Sequence, residues 1–265
     1  DGDGVPDYLE SKFNGDENTP DATDTDGDGV SDYVEAYSGT NDAPYWYKWS
    51  PETTIRTAAT SLDNPTAMAS GDIDGDGDID VVTVTYDNDT ITLLKNNGLG
   101  SFTKSVMNSS SDGAYDIALG DIDGDDDLDI VVSSSLANKI AWFTNDGSGN
   151  FSSETTLTEL ASGSTTLRLV DLDKDDDLDI VASVATADKV FWFKNNGTGS
   201  FGSSEDIITS VGNPLDIEVI DIDADGNLDI VVSGYSDDTI AWYKNNGSEV
   251  FTLGQQISNT ADGAK

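Results

Sequence analysis

The feature that most constrains the fold is an aspartate-rich motif of nine residues that recurs along the chain. Its four copies are DIDGDGDID (72–80), DIDGDDDLD (121–129), DLDKDDDLD (171–179) and DIDADGNLD (221–229), and they begin 49, 50 and 50 residues apart. A fixed period of this length is typical of repeat proteins, in which each repeat is one small supersecondary unit. The chain is therefore predicted to fold as an array of similar units.

The residues around each motif predict four short β-strands per repeat. A strand-like segment such as DIALGDI (116–122) leads into the motif, and an apolar run such as LDIVVSSS (128–135) follows it. A second run such as KIAWFTNDG (139–147) ends in Asp-Gly or Asn-Gly, which tolerates positive φ and predicts a hairpin turn. A phenylalanine is then expected to open the fourth strand, at Phe102, Phe151, Phe201 and Phe251. Such four-stranded units, without helical periodicity, predict an all-β fold: a β-propeller or propeller-like array of blades.

The repeat also predicts the domain organisation. Four blades are expected over about residues 61–110, 111–160, 161–210 and 211–260. The segments YWYKW (45–49) and PETTI (51–55) match a third and a fourth strand, so a half blade over 44–60 is expected to precede them. The last residues, ADGAK (261–265), match the beginning of a further blade. Residues 1–43 differ in pattern and are predicted to form a separate small module.

The motif is predicted to bind calcium, which takes about six to eight hard oxygen ligands in irregular geometry. In a tight loop the side chains at motif positions 1, 3, 5 and 9 and the carbonyl at position 7 can face one centre. The predicted ligands of the first two loops are Asp72, Asp74, Asp76, the Asp78 carbonyl, Asp80, Asp121, Asp123, Asp125, the Asp127 carbonyl and Asp129. Those of the other two are Asp171, Asp173, Asp175, the Asp177 carbonyl, Asp179, Asp221, Asp223, Asp225, the Asn227 carbonyl and Asp229.

Electrostatics support a cation at each motif. Two carboxylates about 5 Å apart repel by roughly 3 kcal/mol at an effective dielectric constant near 20, and four converging carboxylates make six such pairs. Position 6 must turn sharply; it is Gly77 and Gly226 in two loops but Asp126 and Asp176 in the others. Asp is one of the few residues besides Gly that adopts the left-handed conformation, so the turn is expected in all four. The apolar residues at positions 2 and 8 are expected to anchor the loop ends.

Composition narrows the function. The 52 acidic residues against 12 basic ones give a formal charge of −40, which disfavours nucleic acid and anionic membranes as partners. The chain has no Cys and no His, which excludes thiolate and imidazole metal sites and Ser-His-Asp catalysis. The remaining glutamates, such as Glu154, Glu159 and Glu205, are scattered and form no recognisable glycosidase pair. The chain is therefore predicted not to be an enzyme.

Two further acidic segments lie before the blades. DTDGDGVSDYVE (24–35) has Asp at positions 1, 3, 5 and 9, Gly at 6 and Glu at 12, and DGDGVPDYLE (1–10) fits the same template from its third position. These segments are predicted to bind calcium as well. The candidate ligands are Asp24, Asp26, Asp28, the Val30 carbonyl, Asp32 and Glu35, and in a partial site Asp1, Asp3, the Val5 carbonyl, Asp7 and Glu10.

Two recurring features have alternative explanations. Trp142, Trp192 and Trp242 share one blade position with Leu93, which favours packing between blades over a platform for sugar stacking. Five N-x-S/T sequons are candidate glycosylation sites, with chance occurrence as the alternative, at Asn88, Asn108, Asn150, Asn196 and Asn246.

The D-x-D-x-D-x-x-x-D motif between two strands, repeated every fifty residues over about 45–265, resembles the FG-GAP (VCBS-like) repeats of integrin-α-type β-propellers. The resemblance implies a calcium ion in the first hairpin loop of each blade and a propeller that usually has seven blades. The first 43 residues look like thrombospondin type 3 repeats, whose calcium loops are similar to EF-hands.

These features predict a non-catalytic, extracellular or cell-surface protein for adhesion or matrix, with structural Ca²⁺ and an extracellular protein or glycan ligand. Two alternatives stay open. The chain could be a subunit of a fibre or surface array in which strands of one copy complete a blade of the next, because open strand edges invite pairing. It could also be the carbohydrate-binding ancillary domain of a secreted polysaccharide-degrading enzyme.

Overall fold

The computed structural model describes residues 64–108, 112–159, 163 and 165–261. The predicted N-terminal module, its candidate calcium ligands and the predicted half blade at 44–60 lie outside these residues.

Sixteen described β-strands form four antiparallel sheets, and each sheet takes four strands that are consecutive in the sequence. The first blade contains β1 (Pro65–Gly71), β2 (Asp80–Thr85), β3 (Thr90–Asn96) and β4 (Phe102–Asn108). The second contains β5 (Ala114–Gly120), β6 (Asp129–Ser134), β7 (Lys139–Phe143) and β8 (Thr155–Glu159). The third contains β9 (Thr165–Val170), β10 (Asp179–Val184), a 3₁₀ turn at Ala185–Ala187, β11 (Lys189–Phe193) and β12 (Glu205–Ile208). The fourth contains β13 (Pro214–Ile220), β14 (Asp229–Gly234), β15 (Thr239–Asn245) and β16 (Phe251–Ser258).

The second strand of each blade lies at the centre of the core. All six residues of β6 and all six of β10 are buried, because the sheet is covered on both faces; each strand begins with Asp and continues with Val, Ile, Ala or Ser. This explains why these segments read as near-continuous apolar runs. By contrast, the fourth strand is exposed along most of β16.

The blades pack face to face in chain order. The first strands are neighbours in space, β1 beside β5, β5 beside β9, and β9 beside β13. One apolar cluster joins the first and second blades through residues such as Val82 and Ile130, and another joins the second and third through residues such as Trp142 and Phe193. A third cluster joins the third and fourth blades. The prediction of an all-β, propeller-like array of four-stranded blades is confirmed.

The recurrent tryptophans belong to this packing in the middle of the array. Trp142 and Trp192 are buried, and the Trp142 ring meets the edge of Phe201 in the next blade at a centroid distance of 6.2 Å. The Trp142 ring also lies against Gly199, a turn residue of the same neighbouring blade. A sugar could not stack on rings that are covered in this way.

Arg168 on β9 links three blades near their first strands. Its guanidinium donates to Asp216 at 3.1 Å and to Glu218 at 3.3 Å, both on β13, and to the Leu167 carbonyl. The Asp116 carboxylate on β5 lies 4.0 Å away. Arg168, Asp116 and Asp216 border a cavity of about 630 Å³ between the first strands of the four blades.

The prediction that a phenylalanine opens the fourth strand holds for only two blades. Phe102 begins β4 and Phe251 begins β16. In the second blade Phe151 forms only an isolated bridge, and β8 begins at Thr155. In the third, the residues after Phe201 bond singly to the neighbouring strand, through the Gly202 amide and the Lys194 carbonyl at 2.9 Å. Serine-rich segments after the phenylalanine delay the regular ladder in these two blades.

Candidate metal centre in each blade

The four aspartate motifs form the loops between the first and second strands of the blades. They are called here loop 1 (72–80), loop 2 (121–129), loop 3 (171–179) and loop 4 (221–229). Each loop is exposed in its middle and buried at its C-terminal end, where the second strand begins.

Hydrogen bonds within the loop give all four copies the same turn. In loop 2 the amides of Asp125 and Asp126 donate to the Asp121 carboxylate at 3.1 and 2.9 Å. The amide of Asp127 donates to the Asp125 carboxylate at 3.0 Å. The bonds from positions 6 and 7 recur in the other three loops. The carboxylates at positions 1 and 5 therefore stabilise the turn, because one or both of their oxygens accept backbone amides of the loop.

The loop passes through the left-handed region twice. Position 6 has φ of 71° at Asp126 and 72° at Asp176, so these aspartates make the turn that Gly makes in the other loops. Position 4 is also left-handed, with φ of 67° at Lys174 and 58° at Ala224, and sequence reasoning missed this second turn. The glycines at position 4 of loops 1 and 2 carried a signal for it.

Position 2 anchors loops 1 to 3, each of which is followed by another described blade. Position 8 does not anchor all three. At position 2, Ile73, Ile122 and Leu172 are buried. At position 8, Ile79 is 56% exposed, so the expectation that both positions are anchored is wrong for loop 1. Position 2 of loop 4, Ile222, is 42% exposed.

The aspartate at position 9 is fully buried in every loop. In loop 2 the Asp129 carboxylate accepts the amide of Ile122 at 3.0 Å and the amide of Asn145 at 2.8 Å. Burial raises the pKa of Asp129 to about 6, and it raises the pKa of its counterpart Asp179 to about 6 as well. Burial disfavours the charged form of this carboxylate, so keeping it ionised without a positive partner destabilises the fold.

Three carboxylates converge in each loop. One oxygen from each of three aspartates lies within 4.8 Å of the others. In loops 1 to 3 the three come from positions 1, 3 and 9, and they are Asp72, Asp74 and Asp80; Asp121, Asp123 and Asp129; and Asp171, Asp173 and Asp179. In loop 4 they come from positions 1, 3 and 5, which are Asp221, Asp223 and Asp225. Asp229 of loop 4 and Asp76, Asp125 and Asp175 of the other loops lie outside these triads.

The side chain at position 7 points elsewhere. Asp78 lies against Gly98 of the β3–β4 turn, close enough that a Cβ on this glycine would clash with its carboxylate. Asp127, Asp177 and Asn227 lie in the same way against Gly147, Gly197 and Gly247. A ligand at position 7 would therefore have to be the backbone carbonyl, as the sequence predicted.

The triads fit a divalent cation. Within the described part of the chain, five carboxylate oxygens of the triads are buried and accept no hydrogen bond, and they are Oδ1 of Asp72, Asp74, Asp123 and Asp173 and Oδ2 of Asp173. The last of these lies in an ion pair with Lys194, and the other four have no partner. Buried polar atoms normally have a partner, and an unmet acceptor beside two other carboxylates is explained by a bound ion. Hard oxygen donors without nitrogen or sulfur suit Ca²⁺, Mg²⁺ or Mn²⁺.

An asparagine that recurs beside the loop in all four blades was not predicted as part of the site. In each blade the backbone amide of an asparagine near the end of the third strand donates to the position 9 aspartate, and these asparagines are Asn96, Asn145, Asn195 and Asn245. In two blades its side chain also bonds the preceding loop, from Asn145 Nδ2 to the Ile73 carbonyl and from Asn195 Nδ2 to the Ile122 carbonyl, both at 2.8 Å. The repeated NNG or NDG sequence by itself predicts only a turn.

Comparison with known families agrees with this geometry. The sequence profile of the FG-GAP-like repeat matches four successive segments, at residues 24–83, 72–132, 121–182 and 180–232. The chain belongs to the FG-GAP-like repeat family. Its four aspartate loops lie within the matched segments, so they are the repeating element that the FG-GAP-like profile covers. No curated protein matches the sequence.

Solved structures similar to this FG-GAP-like array include proteins with several functions. A lectin from Agrocybe aegerita that recognises non-reducing terminal N-acetylglucosamine has a TM-score of 0.53 at 20% identity, over 73% of this chain and 52% of its own. An auxiliary nutrient binding protein from Bacteroides ovatus has a TM-score of 0.53 at 13% identity, over 73% and 47%. A putative 6-phosphogluconolactonase from Bacteroides uniformis has a TM-score of 0.53 at 15% identity, over 76% and 56%.

These similarities establish the fold alone, because every identity is low. The chain spans about half the length of the lectin and of the nutrient binding protein. Across the described residues, no helix has the length and apolar character needed to cross a membrane.

Proposed function

We propose that this FG-GAP-like array is a non-catalytic binding or adhesion module that works outside the cell and is stabilised by calcium in each blade. The observation that carries the proposal is the triad of converging carboxylates with buried, unmet oxygens in loops 1 to 3. Calcium is favoured over magnesium because it accepts irregular sets of oxygen ligands, whereas magnesium demands a near-ideal octahedron.

The position of the triads supports a structural role for the ion. Each triad in loops 1 to 3 includes the buried aspartate at the first residue of the central strand, where β2, β6 and β10 begin. An ion there would tie the exposed loop to the core and offset the repulsion among carboxylates that are already fixed by hydrogen bonds. Sites of extracellular modules typically have dissociation constants of about 10⁻⁴ to 10⁻³ M, which suits a compartment rich in calcium.

The proposed partner is an extracellular protein or a glycan. The cavity of about 630 Å³ between the first strands is of the size that small-molecule sites have, and it is lined by Tyr115, Arg168 and Asp216 among others. A glycan array with the calcium-loaded protein tests whether a sugar binds, and Arg168→Met tests whether such binding uses this cavity.

One observation favours a second candidate, a subunit of an extracellular fibre or surface array. Ile220 and Ile222 of the fourth blade are 51% and 42% exposed, whereas Ile122 and Leu172, which correspond to Ile222, are covered by the next blade. A blade from another copy would bury the same surface. Light scattering and electron microscopy at high calcium test this candidate, and a purely monomeric protein contradicts it.

The calcium proposal is tested by thermal melting with calcium and with a chelator. A site that is filled at one hundred times its dissociation constant adds about 2.7 kcal/mol to the free energy of unfolding, so several sites should raise Tm by many degrees. We expect EDTA to lower Tm and excess calcium to restore it. Magnesium should restore less. An identical melting curve in EDTA and in calcium would refute the structural role of the ion.

A variant locates the effect in the loops. Asp123→Asn removes one charge from the triad of loop 2 and should reduce the stabilisation by calcium. Asp146→Asn is the matched control, because Asp146 lies in a hairpin turn of the same blade and its carboxylate bonds Ser148 and Asn150. A calcium response that both variants lower equally would point to general charge rather than to the triad.

A further inference from the structure

One position near the end of the third strand differs among the blades in a way that bears on the loops. It carries Lys95, Lys194 and Lys244 in the first, third and fourth blades, and Thr144 in the second. In each case the residue is followed directly by the asparagine that bonds the position 9 aspartate. The side chain at this position therefore starts next to the triad.

Each of the three lysines contacts the position 3 aspartate of its own loop. The Lys95 ammonium lies 3.2 Å from Asp74. Lys194 forms an ion pair with Asp173. Lys244 forms an ion pair with Asp223 and lies 2.8 Å from Asp225. All four of these aspartates are members of the triads.

Loop 2 differs from the other three. The ion pairs of the described residues include carboxylates of loops 1, 3 and 4, and none includes a carboxylate of loop 2. Thr144 cannot supply a positive charge. Loop 2 also carries six aspartates in nine residues, whereas loop 4 has four and receives a second lysine contact, from Lys174 to Asn227 at 2.8 Å.

We propose that these lysines are built-in competitors of calcium and grade its affinity, so that loop 2 binds calcium most tightly and loop 4 most weakly. The inference rests on the proposed calcium function. An ammonium group and a calcium ion cannot both lie against the same carboxylate oxygens without strong repulsion. Calcium must therefore displace the lysine, and the ion pair that is lost weakens binding. Calcium affinity of oxygen sites is tuned in the same way by the net charge of their ligands.

The neighbouring blade offers the displaced lysine an alternative partner in two cases. Lys95 donates to the Ser148 carbonyl of the second blade at 2.8 Å. Lys194 lies 3.6 Å from Glu249 of the fourth blade. Calcium binding would shift each ammonium from its own loop to the next blade. Lys244 has no such contact among the described residues, so calcium binding at loop 4 would break its ion pairs without a replacement.

The test is a calcium titration of the full chain followed by NMR, with the amide of position 6 reporting each loop. This amide bonds the position 1 aspartate in every loop, at Gly77, Asp126, Asp176 and Gly226. We expect the Asp126 signal to shift first and the Gly226 signal last. Isothermal titration calorimetry on the same samples gives the dissociation constants.

Two exchanges of side chains make the test specific. Lys194→Thr should tighten binding at loop 3 by about tenfold, and Thr144→Lys should weaken binding at loop 2 by about tenfold, each equal to about 1.4 kcal/mol. Lys189→Thr is the matched control. It removes the same charge at the opposite end of β11, where Lys189 pairs with Asp206. Its effect on loop 3 should stay within about twofold, as expected for a distant surface charge.

The outcomes separate this inference from the function on which it rests. If the loops bind calcium but both exchanges leave the affinities unchanged, the lysines are not competitors and the inference is overturned. The same holds if Lys189→Thr changes loop 3 as much as Lys194→Thr does. If no loop binds calcium, the proposed function itself fails. Circular dichroism confirms the fold of each variant, and Thr144→Lys provides an independent test should Lys194→Thr unfold.

Discussion

The asparagine after the third strand should contribute unequally to stability in the three later blades, although the residue is the same. Asn145 donates from Nδ2 to the Ile73 carbonyl at 2.8 Å and to the Leu128 carbonyl at 3.1 Å, and it accepts the Gly149 amide at 3.1 Å. Replacement by alanine removes three hydrogen bonds from a side chain that is 4% exposed. The asparagines of the three blades differ in their hydrogen bonds, and these differences predict how much free energy of unfolding each alanine variant loses.

The partner in the preceding blade decides the order of the effects. In the third blade, Asn195 donates to the Ile122 carbonyl, but this carbonyl also accepts the Gly199 amide at 3.1 Å and keeps one partner after Asn195→Ala. In the fourth blade, Asn245 bonds only groups of its own blade among the described residues, the Leu228 carbonyl and the Gly247 amide. The loss should therefore be largest for Asn145 and smallest for Asn245.

The magnitudes follow from the hydrogen bonds. Each bond contributes about 1 kcal/mol net, and a buried group left without a partner costs about 1–3 kcal/mol. Asn145→Ala should lower the free energy of unfolding by about 4 kcal/mol, Asn195→Ala by about 3 kcal/mol and Asn245→Ala by about 2 kcal/mol. The three variants carry the same chemical change, so each serves as a control for the others.

The assay is urea denaturation at saturating calcium, followed by tryptophan fluorescence and circular dichroism. The shift in the midpoint, at unchanged slope, gives the change in the free energy of unfolding. Equal losses in all three variants would refute the reasoning, because they would show that the bond to the preceding blade adds nothing. A larger loss for Asn245→Ala than for Asn145→Ala would refute it as well.

Three further predictions concern charge and packing. Without calcium, acidification from pH 7.5 to 5 should stabilise the fold by at most about 1.4 kcal/mol through Asp129. The pKa of Asp129 is about 6 in the folded protein against 3.8 for an ordinary Asp, so the native state takes up this proton first, and roughly half of a penalty of at most about 3 kcal/mol is relieved by pH 5. A chelated sample whose Tm falls steadily over this range contradicts it. Arg168→Met should cost about 1–3 kcal/mol in urea denaturation, because carboxylates of two other blades lose their partner, and Arg168→Lys should restore only part since an ammonium cannot bridge them. Gly199→Ala should cost about 1–3 kcal/mol, because the new methyl group would meet the Trp142 ring at a φ of 66°. Gly202→Ala is the control, since its nearest neighbour would be 3.9 Å away and no loss is expected.

The repeat, the strands and the acidic loops could be predicted from the sequence because their causes are local. Short apolar runs select the strands of each blade, and Gly or Asp at position 6 permits the left-handed turn that the structure has at Asp126 and Asp176. The same locality explains the partial errors. The fourth strand of the second blade begins four residues after Phe151, because Ser152 and Ser153 interrupt the ladder.

The finer structure of the site could not be predicted from the sequence. All the predicted carboxylates occur in the loops, but the alternation of Asp could not show that positions 1, 3 and 9 converge in three loops and positions 1, 3 and 5 in loop 4. Nor could it assign the lysine of the third strand to the triad, because a β-hairpin must form before Lys194 lies beside Asp173.

By itself, the sequence therefore determined which units form, since strand, turn and loop depend on residues close together in the chain. Only the tertiary structure decided which carboxylates are buried, which blades share a hydrogen bond and which loops face a lysine. Asn145 and Ile73 are 72 residues apart, and their bond exists because the face of one blade covers the loop of the blade before it. Contacts of this kind depend on how whole sheets stack, and the local pattern of a single repeat does not contain that information.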